Sequence, residues 1–224
     1  MIKRFNFKNL SDFDKHIELS IPNLNTLDQI FKNITHENAQ PESIVLDMGC
    51  STGRFLSNLS KIPDCRYIGI DEVDMKNRKQ DFEFIKGDVE EDYFLGKTNI
   101  SYKPHTHKDF ISVLVSMFFL QFLGQKKRGR VVEIMKNVVD EGGVVLLAEK
   151  VHLDDAKIQQ SLHRLHIQEK RKNFTDKEIL EKDLQLSISM FCKTESELQD
   201  EINYIGQATK VWQSYNFMGY VIKK

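Results

Sequence analysis

The stretch Val45 to Leu56, VLDMGCSTGRFL, constrains the fold more than any other part of the chain. An apolar run ends in an acid, a glycine-rich turn follows, and an apolar pattern then resumes. That order describes a parallel strand whose carboxyl end opens into a nucleoside-binding crevice. Gly49 and Gly53 permit close backbone approach and unusual dihedrals, and Ser51 offers a hydroxyl. The amides at the start of the following helix can face a carboxylate or phosphate. A plain strand-to-helix turn remains the alternative on this stretch alone.

Spacing narrows the ligand. The three-glycine dinucleotide fingerprint and the phosphate-binding loop ending in Gly-Lys-Ser/Thr are both absent. Asp47, two residues before the first glycine, suits the ammonium of a methionine moiety better than a pyrophosphate, so S-adenosylmethionine outranks a dinucleotide. Tyr67 to Asp71 (YIGID) reads as a second strand, with Asp71 at its end 18 residues after Gly53. Nucleotide-binding sheets place a ribose-binding carboxylate at about 20 residues, which makes Asp71 the ribose candidate. Phe82 to Val89 (FEFIKGDV) repeats the pattern at a third strand end. In methyltransferase-like sheets an acid and an apolar residue here meet the adenine, roles that fall to Asp88 and Val89. A helix N-cap is the plainer reading of Asp88, but three acids at three successive strand ends favour the ligand.

The formal net charge of −1 over 224 residues gives no support to a globally basic, nucleic-acid-coating surface. The basic clusters at Lys126 to Arg130 and Lys170 to Lys172 read as solvated helix faces, so no direct nucleic-acid contact is expected. Three cysteines, Cys50, Cys65 and Cys192, are odd in number and lack paired metal spacing. No metal is expected from them, and a reducing compartment is. The amino terminus has no continuous apolar segment, and the longest apolar run, Phe110 to Leu123, is too short for a bilayer. The expectation is a cytoplasmic protein with no membrane contact.

Length suits one α/β domain. Residues 10–38 read as a helical preamble broken at Pro22. Strands are then expected at 44–48, 67–71, 82–86, 109–115 and 143–149, with helices at 53–60 and 126–139. Such alternation implies a Rossmann-like, mostly parallel sheet of seven strands with helices on both faces. The interval 154–205 is helical in propensity and is expected to form an extra cap over the pocket mouth. The last 17 residues read as two strands joined near Gln213 to Asn216.

The segments SIPN (Ser20 to Asn23), DMGCSTG (Asp47 to Gly53), KGDV (Lys86 to Val89), LQFL (Leu120 to Leu123), and GGVVLLAEK followed by DDAK (Gly142 to Lys157) resemble the carboxy-S-adenosylmethionine synthase family, within the class I methyltransferases. His166, Lys170, Asn173 and the terminal Tyr215, Asn216 and Phe217 extend the resemblance, which covers about residues 12 to 222. It implies a homodimeric enzyme that converts S-adenosylmethionine and prephenate to a carboxylated sulfonium. A partner enzyme of that family then uses the product on tRNA wobble uridines. It also implies cofactor contacts at Gly49, Cys50, Ser51, Asp71, Glu72, Asp88 and Val89.

Three pocket positions depart from the family: Leu24 stands for a tyrosine, Met117 for an asparagine, and Asp183 for an arginine that pairs with the product's carboxylate. An aspartate cannot replace those planar, charge-assisted donors. The residues therefore point to a retained adenosyl half-site beside a changed acceptor half-site. The expected activity is transfer of a methyl group to a small molecule, with synthesis of the carboxylated sulfonium as first alternative. A catalytically idle S-adenosylmethionine-binding module is the second. If the acceptor must lose a proton, Glu149, His166 and Asp183 are the candidates. His163, His166 and Glu169 share a helical face that could hold a metal or simply line a pocket. Phe118, Phe119 and Phe122 could stack on a ligand or fill the core. Glu149 and Lys150 read equally as an ion pair or as the floor of the acceptor site.

Overall fold

β1 (Ser43–Met48) is buried along its whole length, as a parallel strand covered on both faces must be. Its side chains alternate: Ile44, Leu46 and Met48 join the core on one face of the sheet, and Val45 joins the core on the other. The computed structural model that shows this describes residues 12–87 and 110–224. Asp88 and Val89 lie outside the described residues.

β2 (Arg66–Asp71), β3 (Glu83–Lys86), β4 (Phe110–Met117) and β5 (Val144–Lys150) run parallel to β1. The hairpin β6 (Gln207–Ser214) and β7 (Phe217–Lys223) completes the sheet, with β7 antiparallel to β5. Strand order is β3-β2-β1-β4-β5-β7-β6. The sheet is thus the seven-stranded, mostly parallel one expected. Its order reverses between β1 and β4, where a crevice opens at the strands' carboxyl ends.

The preamble forms α1 (Phe13–Ser20) and α2 (Leu24–Asn38), separated at Pro22. α2 buries Leu24, Leu27 and Phe31 on one face of the sheet. The expected helix at 53–60 shrinks to the single turn α3 (Arg54–Ser57), after which the Asn58 and Leu59 amides donate to the Phe55 and Leu56 carbonyls at 3.2 and 3.3 Å in tighter i→i−3 bonds, and the Lys61 ammonium also reaches the Leu56 carbonyl at 2.6 Å. On the opposite face lie α4 (Gln125–Asp140) and α7 (Glu195–Ile205).

The interval 154–205 divides into α5 (Ala156–Lys170), α6 (Asp176–Leu186) and α7. Reciprocal capping boxes at Thr175 and Thr194 start the last two. Only α5 and α6 overhang the strand ends. α7 buries Leu198, Ile202 and Ile205 in the sheet core, so the cap expected from the interval 154–205 comes from α5 and α6. Among the described residues, no helix is long and apolar enough to cross a membrane.

Candidate active site

The turn after β1 is wound by left-handed residues: Gly49, Ser51 and Gly53 have φ of 76°, 51° and 74°. The amides of Gly49 and Cys50 both donate to the Ile70 carbonyl, at 2.8 and 3.0 Å, which binds the turn to β2. The Ser51 amide donates to Asp71 Oδ2 at 2.9 Å and the Val73 amide to Asp71 Oδ1 at 2.8 Å. Asp71 is therefore fixed in orientation, with burial holding its pKa above the ordinary carboxylate value. Asp47 is 4% exposed, and burial followed by the charge of Asp71 pushes its carboxyl up to about 7.

These residues open into a cavity of about 820 Å³. Asp47, Gly49, Cys50 and Ser51 line it, with Asp71, Glu72 and Met117. Gly53 does not, which corrects its assignment as a ligand contact: the Phe82 ring lies where its Cβ would be. Cys50 is inert as a nucleophile, since burial and the Asp47 and Asp71 charges hold its thiol well above the ordinary range. Phe119 packs against Gly49, while Phe118 is buried and meets Phe217 edge to face at 5.8 Å.

The opposite wall is basic. Lys150 from the end of β5, Lys170 from the end of α5 and Lys182 from α6 all line the cavity, together with His16 and Ser20 of α1. Lys182 Nζ lies 2.5 Å from His16 Nε2 and 3.0 Å from Ser20 Oγ. Lys170 Nζ is 3.5 Å from Asp183 Oδ1. The Lys150 ammonium makes no hydrogen bond or ion pair with any described residue, and its nearest aromatic face is Phe217 at 5.8 Å. Burial and the neighbouring Lys170 lower the Lys150 pKa. The cavity thus has an acidic end at β1 and β2 and a basic end at β5, α5 and α6.

The three proposed proton acceptors fare differently. Glu149 is buried outside the cavity, where Arg128 meets it at 3.1 Å. The guanidinium also holds Glu201 at 2.7 Å, so Glu149 belongs to a structural network, and its pairing is with Arg128 and not with Lys150. Asp183 lies outside the lining and its side chain is 38% exposed. Adjacent residues on a helix point about 100° apart, and α6 turns Lys182 inward and Asp183 away. This corrects the expectation that an aspartate faces the acceptor. His166 does line the cavity, but its Nε2–H donates to the Ser20 carbonyl at 3.0 Å. Its ring lies between Tyr215 and Phe217, at 5.7 and 5.3 Å, and burial lowers its pKa to about 4. His163 is exposed, and no group of side chains among the described residues is placed to hold a metal.

The model of the FtsJ-like methyltransferase family matches residues 24–181. The chain belongs to that family. Curated relatives include the carboxy-S-adenosyl-L-methionine synthase of Idiomarina loihiensis, 31% identical over 92% of this chain and 86% of the relative. The enzyme of the same name from Hydrogenovibrio crunogenus is 27% identical over 95% of this chain and 85% of its own. Among solved structures, the plantazolicin methyltransferase BpumL in complex with SAH aligns with a TM-score of 0.55 at 14% identity, covering 94% of this chain and 87% of that one. The methyltransferase fold and binding of S-adenosylmethionine follow.

The chain's own residues fit that co-substrate. The left-handed turn brings Gly49 and Ser51 to the lining, and two carboxylates, the buried Asp47 and the part-buried Asp71, stand at the ends of β1 and β2. A cationic ligand compensates those acids, and ribose hydroxyls find acceptors on Asp71. The sequence reading offered Lys150 as a floor of the acceptor site but did not bring the members of the basic wall together. Its members come from α1, β5, α5 and α6, and nothing local to Lys150, Lys170, Lys182 or His16 marks them as neighbours.

Proposed function

We propose that this methyltransferase transfers the methyl group of S-adenosylmethionine to a small acceptor that carries a carboxylate. The observation that carries the reading is the division of charge within one cavity. The acidic end suits the ammonium and sulfonium of the donor, and the basic end suits an anion. A buried lysine ammonium without a carboxylate partner is costly, so Lys150 beside Lys170 and Lys182 favours a ligand that brings negative charge. The transfer is in-line displacement at an already activated sulfonium, driven mainly by positioning.

A second reading is synthesis of carboxy-S-adenosylmethionine from prephenate. The names of the curated relatives favour it, as does the placement of Lys182 where an acidic ligand could meet a cation despite Asp183. The apolar Leu24 and Met117 in the lining favour methyl transfer.

The test is incubation of the full chain with S-adenosylmethionine, alone, with prephenate and with a panel of small carboxylic acids, followed by mass spectrometry. Methylated acid with S-adenosylhomocysteine supports the first reading, and a carboxylated sulfonium formed only with prephenate replaces it by the second. Binding without turnover over the whole panel defeats both and leaves a cofactor-binding module.

A further inference from the structure

We infer that Lys182 is the group that takes up the acceptor's proton during transfer, with His16 as its hydrogen-bond partner. The inference rests on the transferase reading above and adds the residue that moves the proton.

The first support is position. Lys182 Nζ is held at 2.5 Å from His16 Nε2 and 3.0 Å from Ser20 Oγ, and all three residues line the cavity. The amine is thereby fixed between α1 and α6 on the basic wall, facing the space in which an acid acceptor would lie.

The second support is the company it keeps. Among the described residues, the charged and titratable groups acting on it include Lys170 from α5, its own neighbour Asp183 and Lys150 from β5, with His16 of α1 in direct contact. Asp183 is turned outward and shared with Lys170, so two cations face Lys182 inside the cavity. Like charges in a partly dry site disfavour the ammonium, and a desolvated lysine beside another cation is a recognised route to a neutral, reactive amine. Burial first and Lys170 second bring the Lys182 pKa down to about 7. Burial, Lys182 and Lys170 bring His16 to about 4, so the imidazole is neutral and can share a hydrogen bond with the amine without competing for the proton.

The third support is elimination, among the described residues, of the bases expected from the sequence. Glu149 is locked on Arg128 outside the cavity, Asp183 points out of it, and His166 is pinned and weakly basic. Asp47 and Asp71 belong to the donor end. Lys150 and Lys170 remain to hold the acid while Lys182 exchanges the proton.

In the step, a lone pair of an acceptor hydroxyl or amine forms a bond to the methyl carbon. The sulfur–carbon bond breaks with its electron pair passing to sulfur. The acceptor's proton passes to the lone pair of the Lys182 amine. The products are the methylated acceptor, S-adenosylhomocysteine and Lys182 as an ammonium, which returns its proton to solvent when the site empties.

Two measurements test this. Competitive labelling of the full chain, saturated with S-adenosylhomocysteine, by trace acetic anhydride across pH is read peptide by peptide in the mass spectrometer. Lys182 should reach half-maximal labelling near about 7, well below the value of about 10.4 for ordinary lysines. Half-maximal labelling at the ordinary value overturns the inference. With any acid that the wild type turns over, kcat should fall about tenfold per pH unit below about pH 7. Lys182→Arg keeps the positive charge but cannot accept a proton. It should bind S-adenosylhomocysteine normally, lose about 100-fold or more in kcat and lose that pH limb. Wild-type kcat in Lys182→Arg overturns the inference. Absence of turnover by the wild type with every acid sinks the transferase reading alone, because the labelling arm still decides the state of Lys182.

Discussion

The Ser51 amide donates to Asp71 Oδ2 at 2.9 Å, so the turn after β1 is tied to the acid that ends β2. With the Val73 amide on the other oxygen, each carboxylate oxygen keeps acceptor capacity for a ribose hydroxyl. Asp71→Ala should weaken S-adenosylhomocysteine binding by about 1.5–3 kcal/mol, the range for hydrogen bonds to a charged group. Asp71→Asn, which keeps one acceptor oxygen, should lose less. Calorimetry on folded variants checks this, and unchanged affinity in Asp71→Ala removes Asp71 from the site.

Asp47 makes donor binding depend on pH. Its carboxyl is pushed up to about 7 by burial and then by Asp71, so below that pH the ligand-free protein holds it protonated. A cationic ligand favours the carboxylate, and binding should release a proton. Affinity should therefore rise by up to about tenfold per pH unit toward pH 7 and level off above it. Folding has the opposite sign. An acid whose pKa is raised on folding binds more protons in the native state between its unfolded value, about 3.9, and about 7. Stability of the ligand-free protein should fall as pH rises through that window. Asp47→Asn should flatten both profiles, and a pH-independent wild-type affinity between about pH 5 and 7 would count against the assignment.

Gly49 is required by the fold as well as by the ligand. Its φ is +76°, and a Cβ there would come within 2.4 Å of the Phe119 ring. A β-branched residue suffers twice, from the left-handed backbone and from the aromatic ring. Gly49→Val should destabilise the protein by about 1–3 kcal/mol, as overpacking does, besides abolishing binding. Pairing Gly49→Ala with Phe119→Ala should recover part of the loss that Gly49→Ala shows alone. Urea unfolding measures it, and a Gly49→Val protein of wild-type stability would show that the turn relaxes freely.

The acidic end of the cavity was legible in the sequence because its parts are local. Asp47, Gly49, Ser51 and Asp71 each stand at a strand end that apolar runs delimit, and parallel pairing aligns those ends. The basic end was not. Which of Lys182 and Asp183 faces inward depends on the rotation of α6, set by how Ile179 buries and by contacts with α1 more than 160 residues away in sequence. An alignment places a residue in a column, whereas a single step along a helix decides which face it occupies. Glu149 misled for a similar reason. A strand-end acid resembles a site residue until Arg128, from α4, is seen to cover it.

That network separates a structural acid from a catalytic one. Arg128 donates to Glu149 at 3.1 Å and to Glu201 at 2.7 Å, and Lys193 reaches Glu201 at 3.3 Å. Glu149 Oε1 has no hydrogen-bond partner among the described residues, so the carboxylate depends on the guanidinium. Arg128→Met strands a buried carboxylate and should destabilise the protein by about 3–5 kcal/mol. Glu149→Gln keeps the shape, removes the charge and leaves Arg128 with Glu201. It should shift stability by much less than Arg128→Met and leave S-adenosylhomocysteine affinity and turnover of any accepted acid unchanged. Denaturant melts paired with calorimetry and rate measurements distinguish the two roles. A Glu149→Gln protein that folds with wild-type stability and binds the cofactor product, yet turns over at least about 100-fold more slowly, would return Glu149 to the chemistry and displace Lys182 from it.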